Sequence, residues 1–303
     1  MITKIAQIMD RASSRGTGLL GLGFCDLNTG DMHFINGDTL FPTASVYKIF
    51  ILCELERQLR EGLISPDIRI VLLDSEKTNG SGMLRYEPEG KEYALQEYID
   101  LMMQISDNTA TDWLYRLVGK EAVYANVIGP LGLKKTRIDL NCKGLLSNYF
   151  ANPSGTYPDP QTGEVHGIYL NSPFYTCTAE PNDVTTPREM VLTLKALYEG
   201  RVIDPETDKK ILDIMAACQT NSRIPALLPP GTRIAHKTGS LDHEANDVGI
   251  VYTPAGNYIL ACFYNGNLSS EEEYLSTVWN EKGTEILAQL SREIYDAYTL
   301  PET

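Results

Sequence analysis

No run of 18 apolar residues occurs anywhere in the 303-residue chain, so the sequence offers no membrane-spanning helix. Residues 1–20 lack the basic start, apolar core and small-residue cleavage site of a signal peptide. The chain is expected to be cytoplasmic if complete as given, and secreted or periplasmic if a leader has been removed. Clusters of lysine and arginine are absent too. With 40 acidic against 26 basic residues the net charge is −14, which argues against nucleic acid and anionic membrane surfaces as partners. The six cysteines form no Cys-x-x-Cys and the four histidines show no ligand spacing. No metal and no cofactor are expected, and the thiols are read as mostly reduced. Internal repeats and low-complexity segments are missing as well.

What is present is a regular alternation of elements. Ile2 to Ser13 has helical periodicity, and Leu19 to Leu27 and Met32 to Asn36 read as strands joined by the Asn28-Thr29-Gly30-Asp31 turn. Ser45 to Glu61 reads as a helix that Gly62 ends. Residues 63–94 are mixed and turn-rich. Leu95 to Ile105 and Thr109 to Val118 read as helices broken by Ser106-Asp107-Asn108, and 120–131 as a further short helix. Residues 140–182 show no sustained period, and a segment of that length without regular structure is usually functional or mobile. Pro187 to Tyr198 and Pro205 to Cys218 restore helix. Arg233 to His236, Asp247 to Tyr252 and Tyr258 to Tyr264 read as strands, and Glu272 to Tyr298 as a closing helical region.

Strands at both ends of the chain with helices between them predict an α+β fold. Its antiparallel five-stranded sheet is assembled from the two termini and flanked by the terminal helices, and the middle of the chain forms an all-helical lobe. The expected organisation is one domain over 1–303, with an α/β lobe of about 1–43 and 221–303, a helical lobe of about 44–220, and a cleft between them.

Within the first long helical pattern, Ser45 stands three positions before Lys48 in the run Ser45-Val46-Tyr47-Lys48-Ile49-Phe50-Ile51-Leu52. On a helix these two side chains share a face. An amine held among apolar residues loses hydration and proton affinity, and a hydroxyl beside it becomes an activated nucleophile. Ser-x-x-Lys is common by accident and equally fits an N-cap serine followed by a lysine that snorkels to solvent. Two later triplets change that balance: Ser106-Asp107-Asn108 at a helix junction and Lys237-Thr238-Gly239, followed by Ser240, at a strand end.

In this order, the three motifs resemble the signature of class A β-lactamases and penicillin-binding proteins. Gly80-Ser81-Gly82-Met83-Leu84, Arg137-Ile138-Asp139 and Asp183-Val184-Thr185-Thr186-Pro187 are similar to further family segments, the last two to those that open and close the Ω loop. The similarity runs from about residue 2 to 300. It implies that Ser45 is the nucleophile that becomes acylated, that Lys48 takes or relays its proton, and that Ser106 passes a proton towards the leaving nitrogen. It further implies that Asn108 holds the substrate amide and Lys48, that Lys237 supplies positive field, that Thr238 binds the substrate carboxylate, and that Gly239 and Ser240 belong to the substrate-binding strand. The N–H groups of Ser45 and Ser240 then form the oxyanion hole.

The chain departs from the family at the base that hydrolyses the acyl-enzyme. Where the family's glutamate stands, an ungapped register puts Cys142 and a register on Leu170-Asn171 puts Gly167. Glu164 and Glu180 are the nearby substitute candidates, each weighed against a solvated loop charge. Leu140 replaces an arginine that pairs with the closing aspartate, here Asp183, and Val248 stands where many class A enzymes carry an arginine for the substrate carboxylate. The expected partner is a small-molecule β-lactam or a peptide-like amide, and the expected state is a monomer. Three readings follow: a β-lactamase with slow deacylation; a peptidase, amidase or esterase acting on D-amino-acid peptides or related substrates; and a non-turnover acyl-binding sensor.

Overall fold

The computed structural model describes residues 1–14, 18–151, 153, 155–158, 162–266 and 281–300. Helix α1 (Ile2–Ser13) leads into strands β1 (Leu19–Asp26) and β2 (Met32–Ile35). The C-terminal part supplies β9 (Ile234–Leu241), β10 (Glu244–Thr253), β11 (Gly256–Asn265) and the last helix, α9 (Glu281–Thr299). These five strands form one antiparallel sheet in the order β2-β1-β11-β10-β9, with Leu22 opposite Cys262 and Lys237 opposite Val248. The α+β fold with a sheet built from both ends of the chain is therefore as expected. Residues 272–280 of the expected closing helix lie outside the described residues.

Alternation sorts each strand's side chains between two faces. Leu20, Leu22 and Phe24 pack with Ile5, Ile8 and Met9 of α1 and with Leu287, Leu290 and Ile294 of α9. The opposite face, with Val248, Ile250, Ile259, Ala261 and Phe263, belongs to a second core shared with the helices. At the centre of that core lies α2 (Lys48–Arg60), buried on nearly every side through Ile49, Phe50, Ile51, Leu52, Cys53 and Leu55. Each such aliphatic or aromatic side chain contributes about 1.5–3 kcal/mol by leaving water, so the first residue of α2 is held rigidly at the sheet. Around α2 pack α3 (Leu95–Gln104), α4 (Asn108–Val118), α5 (Lys120–Val123), α7 (Pro187–Tyr198) and α8 (Pro205–Met215).

Several boundaries differ from the sequence reading. Ser45 does not open α2; it sits in a 3₁₀ turn, Ala44–Tyr47, and Lys48 is the first residue of the α-helix. Side chains at i and i+3 eclipse in that geometry, which keeps Ser45 and Lys48 on one side. Residues 63–94 contain a small hairpin, β4 (Arg69–Val71) with β5 (Glu92–Ala94). The segment 140–182 is not devoid of regular structure: it holds α6 (Cys142–Phe150) and a hairpin of β6 (Gly155–Pro158) and β7 (Val165–Ile168). Its interior is aromatic, with Tyr149, Tyr169, Phe174 and Tyr175 packed together, which a search for periodic apolar spacing does not detect. A two-residue pair, β3 (Phe41–Pro42) with β8 (Val184–Thr185), ties the end of this segment to the chain just before Ser45. No described helix is long and apolar enough to cross a membrane.

Candidate active site

The site forms where the 3₁₀ turn, the α3–α4 junction and strand β9 meet. Ala44 has a φ of 43°, a left-handed conformation that a non-glycine residue adopts rarely, and Thr43 N–H is held by the Asp183 carbonyl at 2.9 Å. Ser45 is half-buried on this turn. Gly239 lets β9 approach it: a Cβ there would stand 2.6 Å from the Thr43 carbonyl oxygen and 3.1 Å from Ser45 N. β9 is the edge strand of the sheet, so a substrate can lie along its open side.

Lys48 is fully buried and its Nζ donates to the Ser106 carbonyl at 2.8 Å and to Asn108 Oδ1 at 2.9 Å, with Ser106 Oγ at 3.1 Å. Ser106 is also left-handed, with φ 60°, and this aims both its carbonyl and its hydroxyl at the amine. The conformation is enforced by Asp107. Its carboxylate caps α4 through Ala110 N–H at 3.0 Å and accepts from Met83 and Leu84 N–H at 2.7 and 2.9 Å. Gly82, with φ 107°, is required at that contact, since a Cβ would fall 2.2 Å from Asp107 Oδ2. Asn108 is fixed from its other end by donating to the Asn79 carbonyl at 2.8 Å. The Gly80-Ser81-Gly82 segment is thus the backing of the Ser106-Asp107-Asn108 turn.

From the opposite side, Lys237, also fully buried, donates to Ser106 Oγ at 3.1 Å and to the Thr238 carbonyl at 2.8 Å. One hydroxyl therefore stands between two amines. Burial, and then the charge of Lys48, pushes Lys237 down to about 7. Burial also lowers Lys48, opposed by the acidic groups around it. Two ammonium groups cannot both be accommodated there at low cost. With one amine neutral, the Ser106 hydroxyl donates to its lone pair while accepting from the other, and every partner is satisfied.

Ser45, Lys48, Ser106, Asn108 and Lys237 are brought together, with Thr238, Gly239 and Ser240 continuing along the edge strand. Neither Glu164 nor Glu180 joins them. Glu164 is exposed and its N–H is held by Thr162 in the β6–β7 turn. Glu180 is 74% exposed and pairs with Arg137 at 2.6 Å. Cys142 does face the site: Tyr47 OH lies 3.0 Å from its Sγ, which donates to Asn108 Oδ1 at 3.3 Å. Its own N–H is held by Asp112 at 2.6 Å. Burial pushes the Cys142 thiol up to about 12, against the Lys48 charge, so the group facing Asn108 is neutral.

One group escaped the sequence reading, and a second, Asp183, has partners that the sequence did not show. Arg223, buried on the segment before β9, donates to the carbonyls of Gly239 and Asn246, both at 2.7 Å, and to Ser240 Oγ at 2.7 Å. It places a guanidinium beneath the end of the strand where Val248 offers no charge; a lone arginine in an aperiodic stretch gives no local signal. Asp183, which has no arginine partner at Leu140, accepts instead from the N–H groups of Asp139 and Leu140 at 2.7 and 2.9 Å. Burial pushes it up to about 8, and its second oxygen has no hydrogen-bond partner.

Comparison with known proteins agrees with this geometry. A beta-lactamase from Bacteroides uniformis is 24% identical over 281 residues, which span 88% of this chain and 82% of that protein. The crystal structure of a beta-lactamase from Sphaerobacter thermophilus superposes with a TM-score of 0.77 at 29% identity, covering 99% of this chain and 98% of that one. PBP-A superposes with a TM-score of 0.76 at 26% identity, covering 98% and 96%, and a mutant of it has been solved as an acyl-enzyme complex with penicillin G. The model of the beta-lactamase enzyme family matches residues 2–298, and the chain belongs to that family.

Proposed function

We propose that the protein is a serine hydrolase of β-lactams that forms an acyl-enzyme on Ser45 and releases it slowly. The observation that carries this reading is the shared Ser106 hydroxyl, within 3.1 Å of both Lys48 and Lys237. In the neutral state Lys48 takes the Ser45 proton as the hydroxyl attacks the lactam carbonyl. The proton then passes through Ser106 to the lactam nitrogen as the C–N bond breaks. The N–H groups of Ser45 and Ser240 hold the oxyanion, and Thr238 and Lys237, backed by Arg223, receive the substrate carboxylate. Catalysis is expected from the single domain 1–303.

Release of the acyl group needs an activated water. The side chain against Asn108 on the Ω-like segment is the neutral thiol of Cys142, which is a poor base. A missing general base costs about 10²–10⁴-fold. That feature favours a second reading with the same nucleophile, a penicillin-binding protein that acts on D-amino-acid peptides and is trapped by β-lactams. Steady-state assays with nitrocefin and with a peptide ending in D-Ala-D-Ala separate the two. Slow but continuous nitrocefin turnover that Ser45→Ala abolishes supports the first. Peptide cleavage without nitrocefin turnover refutes it in favour of the second.

A further inference from the structure

Consecutive strand residues point to opposite faces. Lys237 reaches Ser106 on one face of β9, so His236 occupies the other, away from Ser45. There, His236 Nδ1 lies 2.9 Å from Asp247 Oδ1, while Asp247 Oδ2 accepts from Ile224 N–H at 3.0 Å. His236 and Asp247 are 2% and 0% exposed. Cys218, which follows α8, lies close enough to the imidazole for the two to shift each other's proton affinity. Both Cys218 and His236 line an open cavity of about 320 Å³ whose walls include Asn221, Pro225, Leu228 and Pro230. A sulfur, an imidazole and an orienting carboxylate thus stand in series at the wall of a space that the acyl-transfer site does not use.

We propose that Cys218, His236 and Asp247 form a second nucleophilic site, on the face of β9 opposite Ser45, that captures small conjugated carbonyl compounds on sulfur. In the reaction the Cys218 thiolate bonds to the β-carbon and the π pair moves to the α-carbon. That carbon takes the proton from the His236 imidazolium. The products are a thioether and a neutral imidazole, with no oxidant or leaving group. Against burial, which opposes both charges, the hydrogen bond and charge of His236 hold the thiol below its ordinary value, and the charge of Asp247 raises His236 to about 10. All six cysteines are buried, and the thiols of Cys25, Cys53, Cys142, Cys177 and Cys262 are pushed up; Cys218 differs in lining a cavity together with a histidine that is paired to a carboxylate.

N-ethylmaleimide, applied to the full-length protein at pH 6 and followed by peptide mass spectrometry, tests the proposal. An ordinary thiol is only about 0.3% ionised at that pH. Cys218 is expected to react faster than N-acetylcysteine at this pH, the weaker nucleophilicity of a low-pKa sulfur offsetting only part of its larger ionised fraction. His236→Gln is expected to slow it about tenfold or more, and Asp247→Asn to slow it less. A wild-type rate below that of N-acetylcysteine, or an unchanged rate in a folded His236→Gln protein, overturns the proposal. The wild-type comparison decides the matter even if neither variant folds.

Discussion

Replacing Cys142 by glutamate is expected to convert a slow acyl-enzyme into a turning-over one. The thiol already stands 3.3 Å from Asn108 Oδ1, which in turn is 2.9 Å from Lys48 Nζ. A glutamate side chain reaches further from the same Cα and places its carboxylate among Asn108, Lys48 and the entry to Ser45. The position is also the first residue of α6, where the helix dipole favours an anion. The larger side chain must displace its neighbours, including Tyr47, at a cost of about 1–3 kcal/mol in stability. A general base even imperfectly placed contributes about 10²-fold, equivalent to about 2.7 kcal/mol of barrier. The assay isolates the penicillin G acyl-enzyme from excess ligand and follows its decay by intact mass. A half-life shortened about 100-fold in Cys142→Glu, but not in Cys142→Gln, is the expected result. A folded glutamate variant with an unchanged half-life would refute the assignment of Cys142 to the place of the missing base.

Other consequences follow from the same geometry. The acylation rate is expected to rise as the pH climbs through about 7, because the Lys48–Lys237 pair must lose one proton before either amine can accept the Ser45 proton; a flat profile from pH 5 to 9, measured with a chromogenic lactam, contradicts this. Asp183 takes up a proton on folding, since burial raises it to about 8 from an ordinary carboxylate value. Its contribution is complete below about pH 4 and is lost as pH rises to about 8, at about 1.4 kcal/mol per pH unit. Asp183→Asn is therefore expected to raise Tm at pH 8 and leave it nearly unchanged at pH 4, and a lower Tm at pH 8 counts against the buried neutral carboxyl. Gly239→Ala is expected to cost about 1–3 kcal/mol and, by pushing β9 off the Ser45 turn, about 10–100-fold in acylation; thermal melts and acylation rates at wild-type level would show that the close approach is not needed.

The residues that meet around Lys48 were legible in the sequence and their surroundings were not, for physical reasons. Ser45, Lys48, Ser106 and Asn108 each lie where a strongly periodic element begins or ends, so the elements and the motifs locate one another, whereas Lys237 lies inside β9, which continues to Leu241 beyond the strand end read at His236. The sheet was legible because β1, β10 and β11 are long and apolar. Arg223 was not, because its role depends on the backbone carbonyls of Gly239 and Asn246, which only the folded strand presents. The Ω-like segment was not, because it packs through aromatic rings such as Tyr149 stacked on Tyr169 at 5.1 Å, with no repeat in the chain. Nor does spacing reveal that Ser106 is left-handed, although that one conformation turns its carbonyl and hydroxyl towards Lys48. Glu164 and Glu180 illustrate the converse: nearness in sequence to a catalytic segment does not bring a carboxylate to the nucleophile.

The central claim is that Ser45 is acylated and released slowly, and intact-mass spectrometry of the protein mixed with penicillin G tests it most directly. Ring opening loses no atoms, so the expected result is a single adduct equal to the whole antibiotic, located on the Ser45 peptide, that persists after free ligand is removed. Absence of an adduct, or the same adduct on Ser45→Ala, would contradict it.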